Sequence, residues 1–456
     1  MTRLETDSLR LDGVASDELH AESRIVPGGD AKALEDLAFA LCMATAQESL
    51  RNAEPSPFNH SVLFRSRKRL MIGLGAARVF PIAGGSADSS AVQKVARSIS
   101  EISCVDRVNR PGSKPVAFGA LRFVPTEPSE LVVPELTFVR DADGTSWITV
   151  VGIGDLGDVD QLLRERAAVL KESRTAGAPG ELPVVGGEAE YTEAVTGALR
   201  AIAERRVEKV VISRRAEVIL DTPVDVRATV EALIERESSS TIFCFASSAG
   251  VFVGASPELL VGRYDAEVDS LPLAGTVRKS GVAATDEAAI FEMVRSKKEN
   301  HEHRLVVDDV AKTLARWCDP LEVPAEPEVL VLRDVAHLAT RLKGTIDGDP
   351  VGRPSVLELT AALHPTPAVG GSPTDEALAL IADLEPHGRG LFAGPVGWVD
   401  AKGDGEFFIG IRSAQLVGNH AYVYAGCGIV SGSDPGEELA ETTSKLATMR
   451  GSLTAT

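Results

Sequence analysis

Apolar residues return at helical spacing over residues 34–49, and the segments 69–80, 116–125 and 147–151 carry the apolar and aromatic content of strands. Upstream, residues 1–30 are polar and charged without sustained periodicity, which predicts a poorly ordered tail. A Gly- and Pro-rich stretch at 175–188 reads as a surface loop or as a linker. Beyond it, Tyr191, Val195, Ala198, Leu199 and Ile202 recur as one helical face, and 210–213, 241–247 and 251–256 read as strands. Helices are expected through 286–297 and 299–317. Near the C-terminus the runs GPVGWVD, FFIGIRSAQLV and AYVYAGCGIV, separated by KGDGE and GNH, predict a β-meander. A final helix over 437–449 follows Ser433-Asp434-Pro435, which offers an N-cap and a proline at the helix start.

Composition narrows what such a chain does. With 44% apolar and 25% charged residues the 456-residue chain is that of an ordinary globular protein, with no span apolar enough for a membrane helix. Its formal charge of −19, from 47 basic and 66 acidic residues, repels nucleic acid and anionic lipid. A small anionic substrate would need cations or a metal concentrated at one site. The five cysteines are scattered without metal-like spacing, and the N-terminus lacks the order of a signal peptide, so a cytoplasmic location is expected.

Three constellations could carry chemistry. The last helix stacks Glu438, Glu441 and Lys445 at spacings of three and four, which is either a solvated ion pair or a site fed by the Gly426-Cys427-Gly428 strand end. The run Lys297-Lys298-Glu299-Asn300-His301-Glu302-His303 enters another helix. Its two histidines do not converge as zinc ligands would, whereas Glu302 borders the apolar face and, if it met the acids of the last helix, would complete a hard oxygen site suited to Mg²⁺. Lys209 begins a very apolar strand and Glu258 follows one. Each is either a strand-end charge or an acid–base group whose pKa is shifted by burial, and the residues alone leave both readings open.

The motifs that surround these residues occur in one order: VEKVVISR (207–214), FVGASPELLVGR (252–263), LPLAGT (271–276), KENHEHRLVVDDV (298–310), HPTPAVGG (364–371), RGLFAGPVGWVD (389–400), FFIGIRSA (407–414) and YAGCGIVSGSDPGEELAETTSKL (424–446). In this the chain resembles the chorismate-binding enzymes, which include isochorismate synthases, salicylate synthases and the large subunits of anthranilate and aminodeoxychorismate synthase. The resemblance covers roughly residues 60–456.

It implies an α/β fold of the α+β type, with two packed antiparallel-rich β-sheets and helices outside, as a single domain over 31–456 whose catalytic motifs lie in 188–456. It implies Lys209 as general base, Glu258 as general acid, and Mg²⁺ held by Glu302 and Glu441 with Glu438 beside them. Arg412, Lys445 and the backbone of Gly426 and Gly428 would grip the substrate carboxylates, with Gly275 near by and His337 close to the leaving hydroxyl. Ala368, followed by Val369, matches isochorismate synthases, where amine-adding and pyruvate-releasing relatives carry Thr. The expected activity is therefore Mg²⁺-dependent interconversion of chorismate and isochorismate, an isomerase reaction that begins both menaquinone and siderophore synthesis, with salicylate synthesis the alternative. No amidotransferase subunit is expected. Val277 and Leu391-Phe392 depart from the common family pattern, at the pocket wall.

Overall fold

Many strands of this chain are apolar on both faces, and its layered architecture follows from covering both. The structure, a computed structural model, describes residues 19–51, 60–153, 186–348 and 352–453. In the strand Ser61–Arg65, Leu63 and Phe64 point to opposite sides and both are fully buried. Phe64, Met71, Trp147, Phe243 and Phe252 from one sheet meet Phe118, Leu259, Val396, Trp398 and Phe408 from a second in a single aromatic-rich layer. Each such ring contributes about 1.5–3 kcal/mol on burial. The outer face of the first sheet, around Leu63, Ile72 and Val253, is covered by the helices Gly28–Arg51 and Val226–Arg236 and the end of Pro435–Arg450.

Among the described residues the first sheet has 12 strands, the second 9, and a small third sheet 3. At one end of the first, Lys209–Ile219 lies between the two-residue strand Gly371–Ser372 and the long strand His420–Ile429, paired antiparallel from Val210↔Ile429 to Ile219↔His420. The third sheet, Leu273–Arg278 with Val335–Ala339 and Glu328–Val331, was not foreseen. No helix among the described residues is long and apolar enough to cross a membrane.

Three expectations need correction. The predicted tail is ordered from residue 19: Leu19–Ile25 pairs antiparallel with Ser146–Ile153 and parallel with Ser103–Asp106. Only Leu19 and Ala21 mark its buried face as apolar, so pairing and not local pattern makes the strand. Residues 1–18 lie outside the described residues, as does most of 175–188. The segment 69–80 is two strands, Arg69–Leu74 and Arg78–Ile82, in different sheets, split by Gly75 at a left-handed φ of 73°.

The third correction concerns the meander. Its middle run divides into Gly405–Ile409 in the second sheet and Ser413–Val417 in the first. The chain changes sheets at Gly410-Ile411-Arg412, with Arg412 at φ 50°. A second change occurs between Gly250–Ser256 and Leu259–Tyr264, at Pro257-Glu258. The two crossovers are bonded together, since Ile409 N–H donates to Glu258 O at 3.0 Å and Ala255 N–H to Arg412 O at 3.0 Å.

Candidate active site

Glu258 and Arg412 stand at the two points where strands cross between sheets, and a cleft opens there. It encloses about 860 Å³, solvent at its mouth included. Of the residues singled out in the sequence, Glu258, Gly275, Glu302, His337, Ala368, Val369, Arg412, Gly426, Gly428, Glu438, Glu441 and Lys445 all line it. Lys209 does not reach the wall: its side chain is fully buried behind Gly428. A Cβ on Gly428 would lie 2.8 Å from Lys209 Cε and would overlap the Glu302 carboxylate, so only glycine lets those two side chains pass.

Two helices converge on one end of the cleft. Ser296 caps Lys297–Leu314 by accepting from Glu299 N–H, and Asp434 caps Pro435–Arg450 by accepting from Gly436 and Glu437. Each helix presents a pair of acids three residues apart, Glu299 with Glu302 and Glu438 with Glu441. Lysines answer three of them: Lys209 Nζ is 2.9 Å from Glu302 Oε1, Lys298 Nζ 3.3 Å from Glu438 Oε1, and Lys445 Nζ 2.6 Å from Glu441 Oε1. The Lys209 contact is an ion pair without hydrogen-bond alignment, since Nζ has no hydrogen-bond partner. Lys445 also donates to Gly426 O at 2.8 Å.

Charge is crowded at this end. Burial, then repulsion from Glu302, pushes the Glu299 carboxyl up to about 7, although Thr276 N–H donates to it at 3.0 Å. Burial and then Glu441 raise Glu438 as well. Burial also works against Glu441, but Lys445, Cys427 and Arg412 outweigh it and hold its pKa below the usual value. Glu438, Glu441 and Cys427 bring a carboxylate oxygen or sulfur within 4.8 Å of one another. Burial keeps the Cys427 thiol well above its ordinary pKa, so the usable donors are hard oxygens. Excess acid with oxygen donors fits a hard divalent cation. The histidines do not contribute: His303 Nε2 bonds Thr340 Oγ1 at 2.7 Å, and exposed His301 faces Glu208 at 3.3 Å.

Glu258, His337 and Arg412 line the same cleft, and Thr276 bridges to the acids, donating its N–H to Glu299 and bonding His337 through Oγ1. Burial lifts Glu258 to about 7, against the pull of Leu273 N–H, Lys209, Lys445 and Arg412. His337 Nε2 lies 3.1 Å from Arg412 Nη2 and its Nδ1 3.0 Å from Thr276 Oγ1. A guanidinium only donates, so Nε2 accepts and Nδ1 carries the proton. Burial, then Arg412 and Lys445, keep this imidazole neutral, far below the ordinary histidine pKa. The cleft also has an apolar wall of Ala368, Val369, Ile411 and Phe392, with Phe392 stacked on Tyr424 at 5.0 Å.

Sequence reasoning missed Glu299, Thr276 and Arg389, all of which line the cleft. The Glu299/Glu302 spacing, which repeats that of Glu438/Glu441, was the available signal for the first. A family model described as "Chorismate binding enzyme" matches residues 42–454. The chain is 32% identical to isochorismate synthase DhbC of Bacillus subtilis over 412 residues, 89% of this chain and 95% of that protein. It is 32% identical to isochorismate synthase EntC of Escherichia coli K12 over 367 residues, 80% of this chain and 87% of that one. Among solved structures, the menaquinone-specific isochorismate synthase MenF from Escherichia coli superposes with a TM-score of 0.75 over 95% of this chain and 94% of its own, and at 24% identity that likeness speaks for the fold.

Proposed function

The chain belongs to the chorismate-binding enzyme family, and within it we propose that it acts as an isochorismate synthase, interconverting chorismate and isochorismate. The observation that carries the reading is one cleft lined by a carboxyl lifted to about 7, an acid cluster and an arginine, with the buried Lys209 paired to Glu302 just behind Gly428 of its wall. The chain from residue 19 onward is taken as one catalytic domain, because Leu19–Ile25, Ser61–Arg65 and Lys209–Ile219 share the same sheet.

In this reading Lys209, in its neutral form, takes a proton from the water that attacks C2, while Glu258 protonates the C4 hydroxyl as it leaves and the ring double bonds shift. Arg412 and Lys445 receive the substrate carboxylates. Neutral His337 offers no competing charge and fixes the Arg412 fork through Nε2. Glu302, Glu438 and Glu441 would hold Mg²⁺, with Glu299 beside them, and the ion when bound would neutralise a substrate carboxylate and fix its orientation.

Incubation of the protein with chorismate and Mg²⁺, followed by NMR of the product, tests this directly; salicylate and pyruvate from the earliest time would replace it with the salicylate synthase reading. Ala368→Thr puts a hydroxyl and a β-branch on the apolar wall, and is expected to raise the salicylate fraction at some cost in rate, read by HPLC.

Glu258 gives a prediction with a definite sign. As an acid with a pKa of about 7, it should impose a fall in kcat as pH rises past that value. Its folded pKa also exceeds its exposed value of 4.5, so its contribution to stability is complete below 4.5 and is lost as pH rises through about 7. Glu258→Gln should therefore lose activity yet melt above the wild type at pH 8. A variant that melts lower at pH 8 would show that this carboxyl is ionised and well paired.

A further inference from the structure

Lys209–Ile219 has a full partner on one side, but on the other, among the described residues, it pairs only with Gly371–Ser372, with Val211 N–H reaching Gly370 O at 2.8 Å. Beyond that point, among the described residues, no strand pairs with Val211 C=O or Ser213 N–H, and a buried edge group takes another partner. An ion pair supplies it. Arg389 Nη2 donates to Val211 O at 2.8 Å, and Glu385 accepts from Ser213 N–H at 2.7 Å and from Ser213 Oγ at 2.8 Å.

The two side chains lock each other. Arg389 Nε and Nη2 donate to the two Glu385 carboxylate oxygens at 2.9 and 2.5 Å, and both side chains are almost wholly buried. The remaining reach of the guanidinium goes to the cleft wall, where Nη1 donates to Val369 O at 2.7 Å, while Phe123 stacks 4.1 Å away. The 366–370 turn is thus tied to the strand that carries Lys209, with its own bonds from Val369 and Gly370 to Thr366 O shaping it.

We propose that Arg389 and Glu385 are positioning residues, which take the place of strand pairing at Val211 and Ser213 and hold the Lys209 strand and the Ala368-Val369 wall in one register. They act through backbone groups, and a shift of about 1 Å at a reacting group can cost 10²-fold. The proposal rests on the isochorismate synthase reading, because the wall it positions is the one expected to govern product choice.

The test uses the full chain. Arg389→Lys keeps the charge but loses the planar fork that spans Glu385, Val211 and Val369. Its kcat, normalised to the folded fraction by circular dichroism at the assay temperature, is expected to fall about 10- to 100-fold, with KM within about 3-fold of wild type and a raised salicylate fraction. Glu385→Gln keeps the shape and should show the same pattern in milder form. Normalised kcat and product ratio both equal to wild type in either folded variant would overturn the proposal, as would a loss of rate explained wholly by a smaller folded fraction. Wild-type protein run alongside separates the two failures: if it makes no isochorismate, the functional reading fails and not the clamp.

Discussion

Lys209→Ala is expected to lower kcat by about 10²–10⁴-fold, the usual worth of a positioned proton acceptor. The rival explanation is structural, since Lys209 is also the buried partner of Glu302 at 2.9 Å and its loss leaves that acid uncompensated. Lys209→Arg separates the two. Arginine can restore the ion pair but does not deprotonate in proteins, so it cannot serve as a base. If Lys209 is the base, the arginine variant folds and binds chorismate yet turns over as poorly as the alanine variant. If arginine restores most of the rate, Lys209 is a structural cation and another group activates water.

What the sequence made legible here was whatever lies on one element. Glu438, Glu441 and Lys445 share a stripe because three- and four-residue spacing puts them there, and the ion pair of Lys445 with Glu441 is the plain consequence. The apolar run after Lys209 announced a buried strand. Neither pattern says what the element faces, and the roles of Lys209 and Glu258 came from the resemblance. The crossovers were hidden for a different reason. FFIGIRSAQLV keeps strand-like apolar content straight through Arg412, so nothing local marks the change of sheet that brings Arg412 into the cleft. Glu385 and Arg389 are four residues apart, but Glu385 caps the C-terminus of the helix Thr374–Leu384 and the pair closes across a turn onto another strand, which spacing alone does not reveal. Long-range backbone pairing is the part that composition and periodicity do not encode.

Removing divalent cations is expected to abolish turnover, and adding Mg²⁺ back to restore it. The reason lies in the charge of the cleft: Glu299, Glu302, Glu438 and Glu441 face three lysines and Arg412, and two of those acids are already pushed upward by burial and by their acidic neighbours. A substrate with two carboxylates adds charge of the same sign, and Arg412 with Lys445 cannot answer all of it. A hard cation among oxygen donors restores the balance. Because it would bind the folded cleft and not the unfolded chain, Mg²⁺ should also raise the melting temperature without substrate, by about 2.7 kcal/mol of added stability at 100 times its Kd. Glu441→Gln should shift both the activating and the stabilising Mg²⁺ concentrations upward, while the melting temperature in EDTA falls below that of wild type, since Lys445 loses the acid it pairs with at 2.6 Å and whose pKa it helps to hold down. Full turnover in excess EDTA, together with a melting temperature indifferent to Mg²⁺, would mean that the lysines and Arg412 suffice and that the four acids serve only to hold those cations in place.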